Sequence, residues 1–357
     1  MTHSPQDVLF ARHGRAGLIT LNRPQALNAV TLDMIMAMHA KLKEWAQDPE
    51  VGHVIIDAAG EKAFSAGGDI RALYEIGKAQ NPAFVDFYRH EYQFNTYLKR
   101  YRKPYIALID GIVMGGGVGV SFHGSHRIAG DRIMFAMPET GIGLFPDVGG
   151  TWFLPRCPGE TGMYLGLTGA RLKAADTLHC GLATHYVPSS RFAELKAALC
   201  DCADIDAVIA GFAAHPGAPP LDLHRAAIDK CFAAGSIEAI LQALSDTTGP
   251  DADFAQKTIA ALKQKSPTSL KITYRQLREG AHLSFEECMK LEFRIVNRIF
   301  HGTDFFEGTR AVVIDKDNQP NWRPSTLSEV SDAMVDAYFA PLGKGELVLA
   351  ENLQKPS

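Results

Sequence analysis

Short apolar runs alternate with longer segments of helical periodicity up to about residue 205 of the chain. A short apolar run that ends at polar, glycine or proline residues is typical of a β-strand. Five such runs predict strands, at residues 17–21, 53–57, 105–109, 126–129 and 133–136.

The segments between these runs carry apolar residues at helical spacing. The spacing predicts helices over residues 32–45 and 83–101, and Thr31 is a suitable N-cap for the first of them. Two strands followed by a helix thus recur along the chain. Such a recurrence favours a wound α/β core over separate all-α or all-β domains.

The pattern changes after about residue 205. Residues 207–214 are rich in alanine, residues 216–220 form a proline-containing break, and the chain beyond is mainly helix-like. Residues 312–315 are the main exception to that helical pattern. We therefore predict a catalytic core over residues 8–215, and a mainly helical region over 216–357 that packs on it.

Two glycine clusters carry the first chemical signal. The sequences FSAGGDI at residues 64–70 and MGGGVG at 114–119 each follow a predicted strand and precede a helix-like segment. Glycine lets the backbone approach a ligand closely, and the first amide N–H groups of a helix have no intrahelical partner. Two such N–H groups aimed at one point make an oxyanion hole. The clusters thus indicate stabilisation of a thioester or enolate oxygen.

Composition limits the classes of molecule that the chain is expected to bind. With 46% hydrophobic residues, 21% charged residues and a net charge of −4, the chain reads as a globular protein without the basic excess typical of nucleic-acid binding. The six cysteines form no CxxC pair, which favours reduced thiols over a zinc site or disulfides. The apolar run over residues 105–122 contains Asp110 and five glycines, so we expect no membrane span. These features predict a cytoplasmic protein that binds neither nucleic acid nor membrane.

Four motifs resemble the enoyl-CoA hydratase/isomerase (crotonase) superfamily. They lie at residues 21–29, 64–70, 115–117 and 138–139. Three longer stretches, at residues 135–150, 167–173 and 307–317, are similar to its 3-hydroxyisobutyryl-CoA hydrolase branch. The resemblance extends from about residue 8 to residue 325.

The resemblance implies an α/β fold built as a spiral of ββα units, with an acyl-CoA as substrate. It implies no metal and no separate cofactor, because CoA is part of the substrate. It places the oxyanion hole at the amides of Gly68 and Gly116, and it implies further substrate contacts by Ala66, Asp69 and Glu91. Superfamily members are often trimers or pairs of trimers, so a homo-oligomer is compatible with it.

Glu139 matches the catalytic carboxylate of the superfamily. It follows Pro138 within an apolar stretch, where desolvation raises the pKa of a carboxyl toward the range of a general base. Glu139 either activates a water molecule as a base or attacks the thioester as a nucleophile, and the sequence does not choose between the two. The structural alternative is a glutamate that caps a turn.

A second carboxylate and a glycine distinguish the hydrolase branch from the hydratases. The branch implies an active-site role for Asp147, either to bind the 3-hydroxyl group or to orient water, although Asp beside Pro and Gly is also typical of a turn. Gly119 occupies the position where hydratases carry the first of two glutamates. We expect this glycine to leave room for a bulkier acyl group or a hydrolytic water.

The combined expectation is hydrolysis of a short 3-hydroxyacyl-CoA, above all 3-hydroxyisobutyryl-CoA, as in valine degradation. Two rival hypotheses remain: hydratase or isomerase activity on a related acyl-CoA, and a non-catalytic binding or scaffold role. Arg23, Lys62 and Arg71 are candidates for contacts with the CoA phosphates.

Overall fold

The computed structural model describes residues 7–349. The strands are β1 (Val8–His13), β2 (Ala16–Leu21), β3 (His53–Ala58), β4 (Ala63–Ser65), β5 (Tyr105–Ile109), β6 (Ile112–Met114), β7 (His126–Ala129), β8 (Met134–Ala136) and β9 (His185–Tyr186). The helices of the first part of the chain are α1 (Leu32–Gln47), α2 (Ile70–Lys78), α3 (Ala83–Lys99), α4 (Gly116–Gly119), α5 (Gly150–Phe153), α6 (Thr161–Thr168), α7 (Ala174–His179), α8 (Phe192–Asp201) and α9 (Ile205–Phe212). The later helices are α10 (Arg225–Phe232), α11 (Ile237–Ser245), α12 (Ala252–Lys263), α13 (Pro267–Gly280), α14 (Phe285–Ile299), α15 (Asp304–Thr309) and α16 (Asp332–Phe339).

The strands form two sheets. The larger has the order β1-β2-β3-β5-β7-β9, with β1 antiparallel to β2 and the other pairs parallel. The smaller has the order β4-β6-β8 and is parallel throughout. Each successive pair, β3 and β4, β5 and β6, β7 and β8, sends one strand to each sheet. This arrangement confirms the predicted wound α/β architecture.

Side chains of the larger sheet contribute alternately to two hydrophobic clusters, one on each face of the sheet. Ile19 and Ile56 belong to the main hydrophobic core, whereas their neighbours Leu18 and Ile55 belong to a second cluster. Successive side chains of a strand point to opposite faces, so each strand contributes to both clusters. The second cluster is closed by α8 and α9 through Leu195, Leu199 and Ile209.

The predicted helices are confirmed with small shifts at their ends. Helix α1 begins after Thr31, whose Oγ1 accepts a hydrogen bond from the N–H of Met34 at 3.3 Å, as an N-cap does. Helix α3 begins at residue 83 as predicted and ends at Lys99. Within the described residues, no helix combines the length and the apolar character needed to cross a membrane.

The C-terminal helices pack on the core, as predicted. Helix α14 lies against α3, helix α13 lies against α6, and Leu277 and Phe293 belong to the same hydrophobic cluster as Ile56. The prediction that residues 312–315 interrupt the helical pattern is wrong. Residues Arg310–Ile314 continue α15 as a π-helical turn, in which Asp315 N–H donates a hydrogen bond to Arg310 O at 2.8 Å. The boundary near residue 215 stays a prediction.

Candidate active site

The three parallel strands of the smaller sheet bring the sequence motifs together. Strand β4 leads to Gly67 and Gly68, β6 leads to Gly115 and Gly116, and β8 leads to Pro138 and Glu139. Parallel neighbours have their carboxyl ends along one edge, which is where ligands bind in open α/β sheets. The two glycine clusters and Glu139 therefore meet there, although they are distant in sequence.

The amides of Gly68 and Gly116 are free to bind a ligand. Val30 forms a β-bridge with Gly68. In that bridge Val30 N–H donates to Gly67 O at 2.8 Å and Asp69 N–H donates to Val30 O at 3.0 Å, so the Gly68 N–H faces away from Val30. Gly116 opens α4, where an N–H has no partner within the helix. In the part of the chain that the structure describes, neither N–H donates a hydrogen bond. A Cβ on Gly116 would lie 3.0 Å from Gly68 N, so the two peptide groups are adjacent.

A cavity of about 440 Å³ opens in front of these amides. Its wall includes Ala66, Gly68, Gly116 and three carboxyl side chains, those of Glu91, Glu139 and Asp147. Most of the predicted site residues thus lie around one space.

Asp69 is placed differently. Its Oδ1 accepts a hydrogen bond from Ala72 N–H at 3.2 Å and caps α2, while its Oδ2 lies 3.2 Å from Nη2 of Arg23. Asp69 does not line the cavity, and neither do Arg23, Lys62 and Arg71. The glycines of the Gly-Gly-Asp motif line the cavity, as the sequence analysis predicts. The aspartate was predicted to contact substrate but instead caps α2 and pairs with Arg23.

Glu139 begins a 3-10 helix, Glu139–Ile142, directly after Pro138. Its side chain is buried, and its Oε2 has no hydrogen-bond partner among the described residues. Burial, and secondarily the charge of Asp147, raises the pKa of Glu139 well above its ordinary value, whereas Lys265 acts in the opposite direction. Burial of an unpaired carboxylate oxygen is costly, and it makes Glu139 a strong proton acceptor once ionised.

Asp147 faces the same cavity from the loop that follows the 3-10 helix. The side chain is buried, and Oδ2 accepts a hydrogen bond from the hydroxyl of Tyr92 at 2.9 Å. Burial raises the pKa of Asp147 to about 7, and the Tyr92 bond opposes that rise. The hydroxyl of Tyr92 on α3 therefore orients the Asp147 carboxyl and favours its ionised form against the effect of burial.

Glu91 is the third carboxyl in the wall. It is buried on α3, its Oε1 has no partner among the described residues, and a Cβ on Gly116 would lie 2.7 Å from that oxygen. Burial, then the charges of Asp147 and Glu292, raises the pKa of Glu91 well above its ordinary value. Like charges that share a buried site disfavour one another's ionisation, so each of the three carboxyls makes the charged form of the others less favourable.

Gly119 does not leave open space, contrary to our expectation. A Cβ at this position would lie 2.9 Å from Nδ2 of Asn95 and 3.0 Å from Cβ of Val148. Asn95 Nδ2 also donates a hydrogen bond to Gly119 O at 3.0 Å. The glycine is thus required for packing, and the place of a second glutamate is filled by two other side chains.

Several residues of the site escaped the sequence analysis. Tyr88 lines the cavity and Tyr92 binds Asp147; both share one face of α3 with Glu91, at a helical spacing that the sequence does show. Arg171 also lines the cavity and belongs to the stretch 167–173. Lys265 reaches the cavity from beyond α12, and no sequence signal connects it to Glu139. Within residues 7–349, no three or more His, Cys, Asp or Glu side chains are placed so that together they could hold a metal ion.

Comparison with known proteins agrees with this geometry. The Enoyl-CoA hydratase/isomerase family matches residues 16–339. The chain is 48% identical to "3-hydroxyisobutyryl-CoA hydrolase, mitochondrial" of Danio rerio, over 96% of this chain and 92% of that protein. The human protein of the same name is 43% identical over 97% of this chain and 92% of its own length.

Two solved structures have the same fold. A carnitinyl-CoA dehydratase from Mycobacterium thermoresistibile is 41% identical, with a TM-score of 0.91 over 97% of this chain and 100% of that one. An enoyl-CoA hydratase from Rhodobacter sphaeroides is also 41% identical, with a TM-score of 0.88 over 96% and 100%. These likenesses confirm the crotonase-like fold.

The names of the relatives contradict one prediction. They are mitochondrial proteins, so the prediction of a cytoplasmic location is wrong. That prediction rested on a cysteine pattern that favours reduced thiols, and such a pattern does not distinguish one reducing compartment from another. The family match and the identity over nearly the whole chain lead to one conclusion: the chain belongs to the enoyl-CoA hydratase/isomerase family and, within it, to the group that contains the 3-hydroxyisobutyryl-CoA hydrolases.

Proposed function

We propose that this protein hydrolyses 3-hydroxyisobutyryl-CoA to 3-hydroxyisobutyrate and CoA, a reaction of valine degradation. The carrying observation is that two unpartnered amide donors, of Gly68 and Gly116, face the same cavity as two buried carboxyls, of Glu139 and Asp147. This combination suits acyl transfer to water, which needs donors for an oxyanion and a base for the attacking molecule. The relatives of the same name support the choice of substrate.

The amides act on the thioester carbonyl. Its oxygen accepts hydrogen bonds from Gly68 and Gly116, and these bonds strengthen as the carbonyl carbon becomes tetrahedral and the oxygen becomes negative. A Cβ at Gly116 would lie 2.7 Å from Oε1 of Glu91, so this position has no room for a side chain while Glu91 keeps its place. Removal of one such donor typically lowers the rate about 10²–10³-fold.

Glu139 supplies the base or the nucleophile. As a base it takes a proton from water, whose oxygen bonds to the carbonyl carbon; the C–S bond then breaks, and the proton passes to the CoA thiolate. As a nucleophile it forms an anhydride and expels the thiolate, and water then cleaves the anhydride. Hydroxylamine distinguishes the two routes, because only an anhydride lets it convert Glu139 to a hydroxamate that mass spectrometry detects.

Asp147 is suited to recognise the 3-hydroxyl group of the acyl chain. Tyr92 already donates to Oδ2, which leaves Oδ1 to accept from the substrate. The alternative role, orientation of the attacking water, uses the same oxygen. The proposal requires no metal and no separate cofactor, since water is the second reactant and CoA arrives as part of the thioester.

Addition of water to an enoyl-CoA is the competing activity, because the two solved structures at 41% identity have dehydratase and hydratase names. A hydratase of the two-glutamate type needs a carboxylate where this chain has Gly119. Asn95 and Val148 lie 2.9 and 3.0 Å from a Cβ at that position, so a glutamate there would have to displace them. A non-catalytic scaffold role would leave the buried Oε2 of Glu139 without a purpose.

One experiment separates the three hypotheses. Release of free thiol from 3-hydroxyisobutyryl-CoA is measured beside the loss of enoyl absorbance from crotonyl-CoA, with the same enzyme preparation. We expect rapid thiol release and little hydration. Hydration without thiol release would replace the proposal by the hydratase hypothesis, and absence of both reactions would favour the scaffold.

A further inference from the structure

The loop that carries Asp147 has an unfavourable backbone conformation. Val148, directly after Asp147, has a φ of +47°, and Gly149 has a φ of +90°. A β-branched residue in the left-handed region is rare, because its side chain crowds the backbone there. The segment over residues 146–151 (the Asp147 loop), which comprises the loop around Asp147 and the start of α5, therefore needs support from outside itself.

Glu292 on α14 provides the main support. Its Oε2 accepts the N–H of Gly149 at 2.9 Å, and its Oε1 accepts the N–H of Thr151 at 3.0 Å. The Glu292 side chain is fully buried. One carboxylate thus holds two amides of the loop from a helix 143 residues away in sequence.

Two uncharged side chains complete the support. Gln276 on α13 donates from Nε2 to Pro146 O at 2.6 Å and to Thr151 Oγ1 at 2.7 Å. The Nε2 of His123 lies 2.7 Å from Val148 O, and burial lowers the pKa of His123 to about 3. The ring is therefore neutral and donates to that carbonyl oxygen.

We propose that Glu292 is a positioning residue, which holds the strained loop so that the Asp147 carboxyl faces the 3-hydroxyl group of the substrate. Glu292 does not line the cavity, so it acts on substrate through Asp147. The inference rests on the proposed function, and in particular on Asp147 as the group that recognises the hydroxyl.

The two hydrogen bonds from backbone N–H groups explain why this position carries a carboxylate. Both oxygens accept, so Glu292→Gln would turn an NH₂ group toward one N–H and leave that loop amide without an acceptor. Burial, and then the charge of Asp147, raises the pKa of Glu292, whereas the hydrogen bonds from Gly149 and Thr151 lower it and so favour the ionised form that accepts on both oxygens.

The test is a double-substitution cycle with Glu292→Gln and Asp147→Asn. For each variant, kcat/KM is measured on 3-hydroxyisobutyryl-CoA and on isobutyryl-CoA, which lacks the hydroxyl group. We expect Glu292→Gln to lower the preference for the hydroxylated substrate about tenfold, and the double variant to be no worse than Asp147→Asn alone. Residues that act through one group show such non-additivity.

Glu286→Gln is the matched control, because Glu286 lies on the same helix and pairs with Arg100 at the surface. It should change neither substrate preference nor the hydrogen exchange of the loop amides. Glu292→Gln should accelerate exchange at Gly149 and Thr151. If Glu292→Gln does not fold, Glu292→Asp takes its place, since it keeps the charge but is too short to reach both amides.

The outcomes are distinguishable. Equal losses on both thioesters, additive losses in the double variant, or unchanged loop exchange would each overturn the positioning role of Glu292 while the proposed hydrolysis stands. Failure of the wild-type protein to release thiol from either substrate would instead overturn the proposed function, and the inference with it.

Discussion

The core over residues 8–215 and the described helical region over 216–349 contribute to the same site in different ways. The core presents Gly68, Gly116 and Glu139 at the ends of parallel strands, directly in the cavity wall. The helical region contributes Lys265 to that wall, and Glu292 holds the loop behind it. One region thus supplies the proposed oxyanion hole and the proposed base, and the other supports their surroundings.

Hydrogen bonding distinguishes two acids of the cavity wall from the acid behind it. Oε1 of Glu91 and Oε2 of Glu139 have no partner among the described residues, whereas both oxygens of Glu292 accept a backbone N–H. A buried acceptor without a partner is unfavourable for folding, and in a cavity wall it is open to a ligand. An acceptor with all its bonds made supports structure. The comparison therefore predicts that substitutions in the two regions have different kinetic signatures.

Removal of residues 216–357 should have the largest effect. Helix α14 covers α3, and Phe293 packs with its ring 6.4 Å from that of Tyr92, so truncation would expose many large apolar side chains. Each such side chain contributes roughly 1.5–3 kcal/mol when buried. We expect the fragment to be aggregated or unfolded by size-exclusion chromatography and to release no thiol from the substrate. A soluble, monodisperse and active fragment would show that the core is self-sufficient.

Glu139→Gln should have the next largest effect. It keeps the shape of the side chain but removes the base or nucleophile, so we expect kcat to fall about 10²–10⁴-fold. CoA affinity should hardly change, because the nucleotide end is held elsewhere. Glu61→Gln is the control, since its carboxylate is exposed and pairs weakly with Arg132 at 3.8 Å. Retention of wild-type turnover would remove Glu139 from the mechanism.

Gly116→Pro tests the oxyanion hole. It removes the N–H, and we expect turnover to fall about 10²–10³-fold, more than any change in melting temperature explains. Gly116→Ala is the matched control: it keeps the N–H, but its Cβ would meet Oε1 of Glu91 at 2.7 Å. The difference between the two variants measures the N–H itself. Equal activities of the two would contradict the assignment of this amide.

Asp147→Asn should act selectively. We expect it to lower kcat/KM for 3-hydroxyisobutyryl-CoA about tenfold more than for isobutyryl-CoA, because a lost hydrogen bond matters only where the substrate can make it. Asparagine can still accept the bond from Tyr92, so the loop should remain in place. If both thioesters suffer equally, Asp147 serves the water or the fold rather than the hydroxyl group.

Lys265→Met should have the smallest effect and should appear in the pH profile. The positive charge of Lys265 favours ionised Glu139, so its removal raises the pKa of Glu139 further. Because the ionised form is the active one, the acidic limb of kcat should move to higher pH, with less than about a tenfold loss at pH 7. Lys263→Met, at an exposed position, is the control. An unchanged limb would show that Lys265 does not influence the base.

Local patterns made much of the site predictable. The glycine clusters, the Pro-Glu pair and the apolar runs before them are contiguous in sequence, and their strand-to-loop transitions depend on glycine, proline and the alternation of apolar residues. Glu91 was predicted as a substrate contact, and its neighbours Tyr88 and Tyr92 could have been found from the face they share with it on α3. Lys265 could not, because nothing local connects it to Glu139.

The sequence by itself determined the α/β class and, through the glycine clusters, a pair of amides at helix starts, because these follow from local backbone preferences; the resemblance to the family supplied the carboxyls Glu91, Glu139 and Asp147. Only the tertiary structure decided that Asn95 and Val148 occupy the space beside Gly119. It also decided that Glu292 binds the Asp147 loop, from which it is 143 residues distant in sequence. Such contacts depend on how distant elements pack. Burial among those elements, which no single segment encodes, also raises the pKa of Asp147 to about 7.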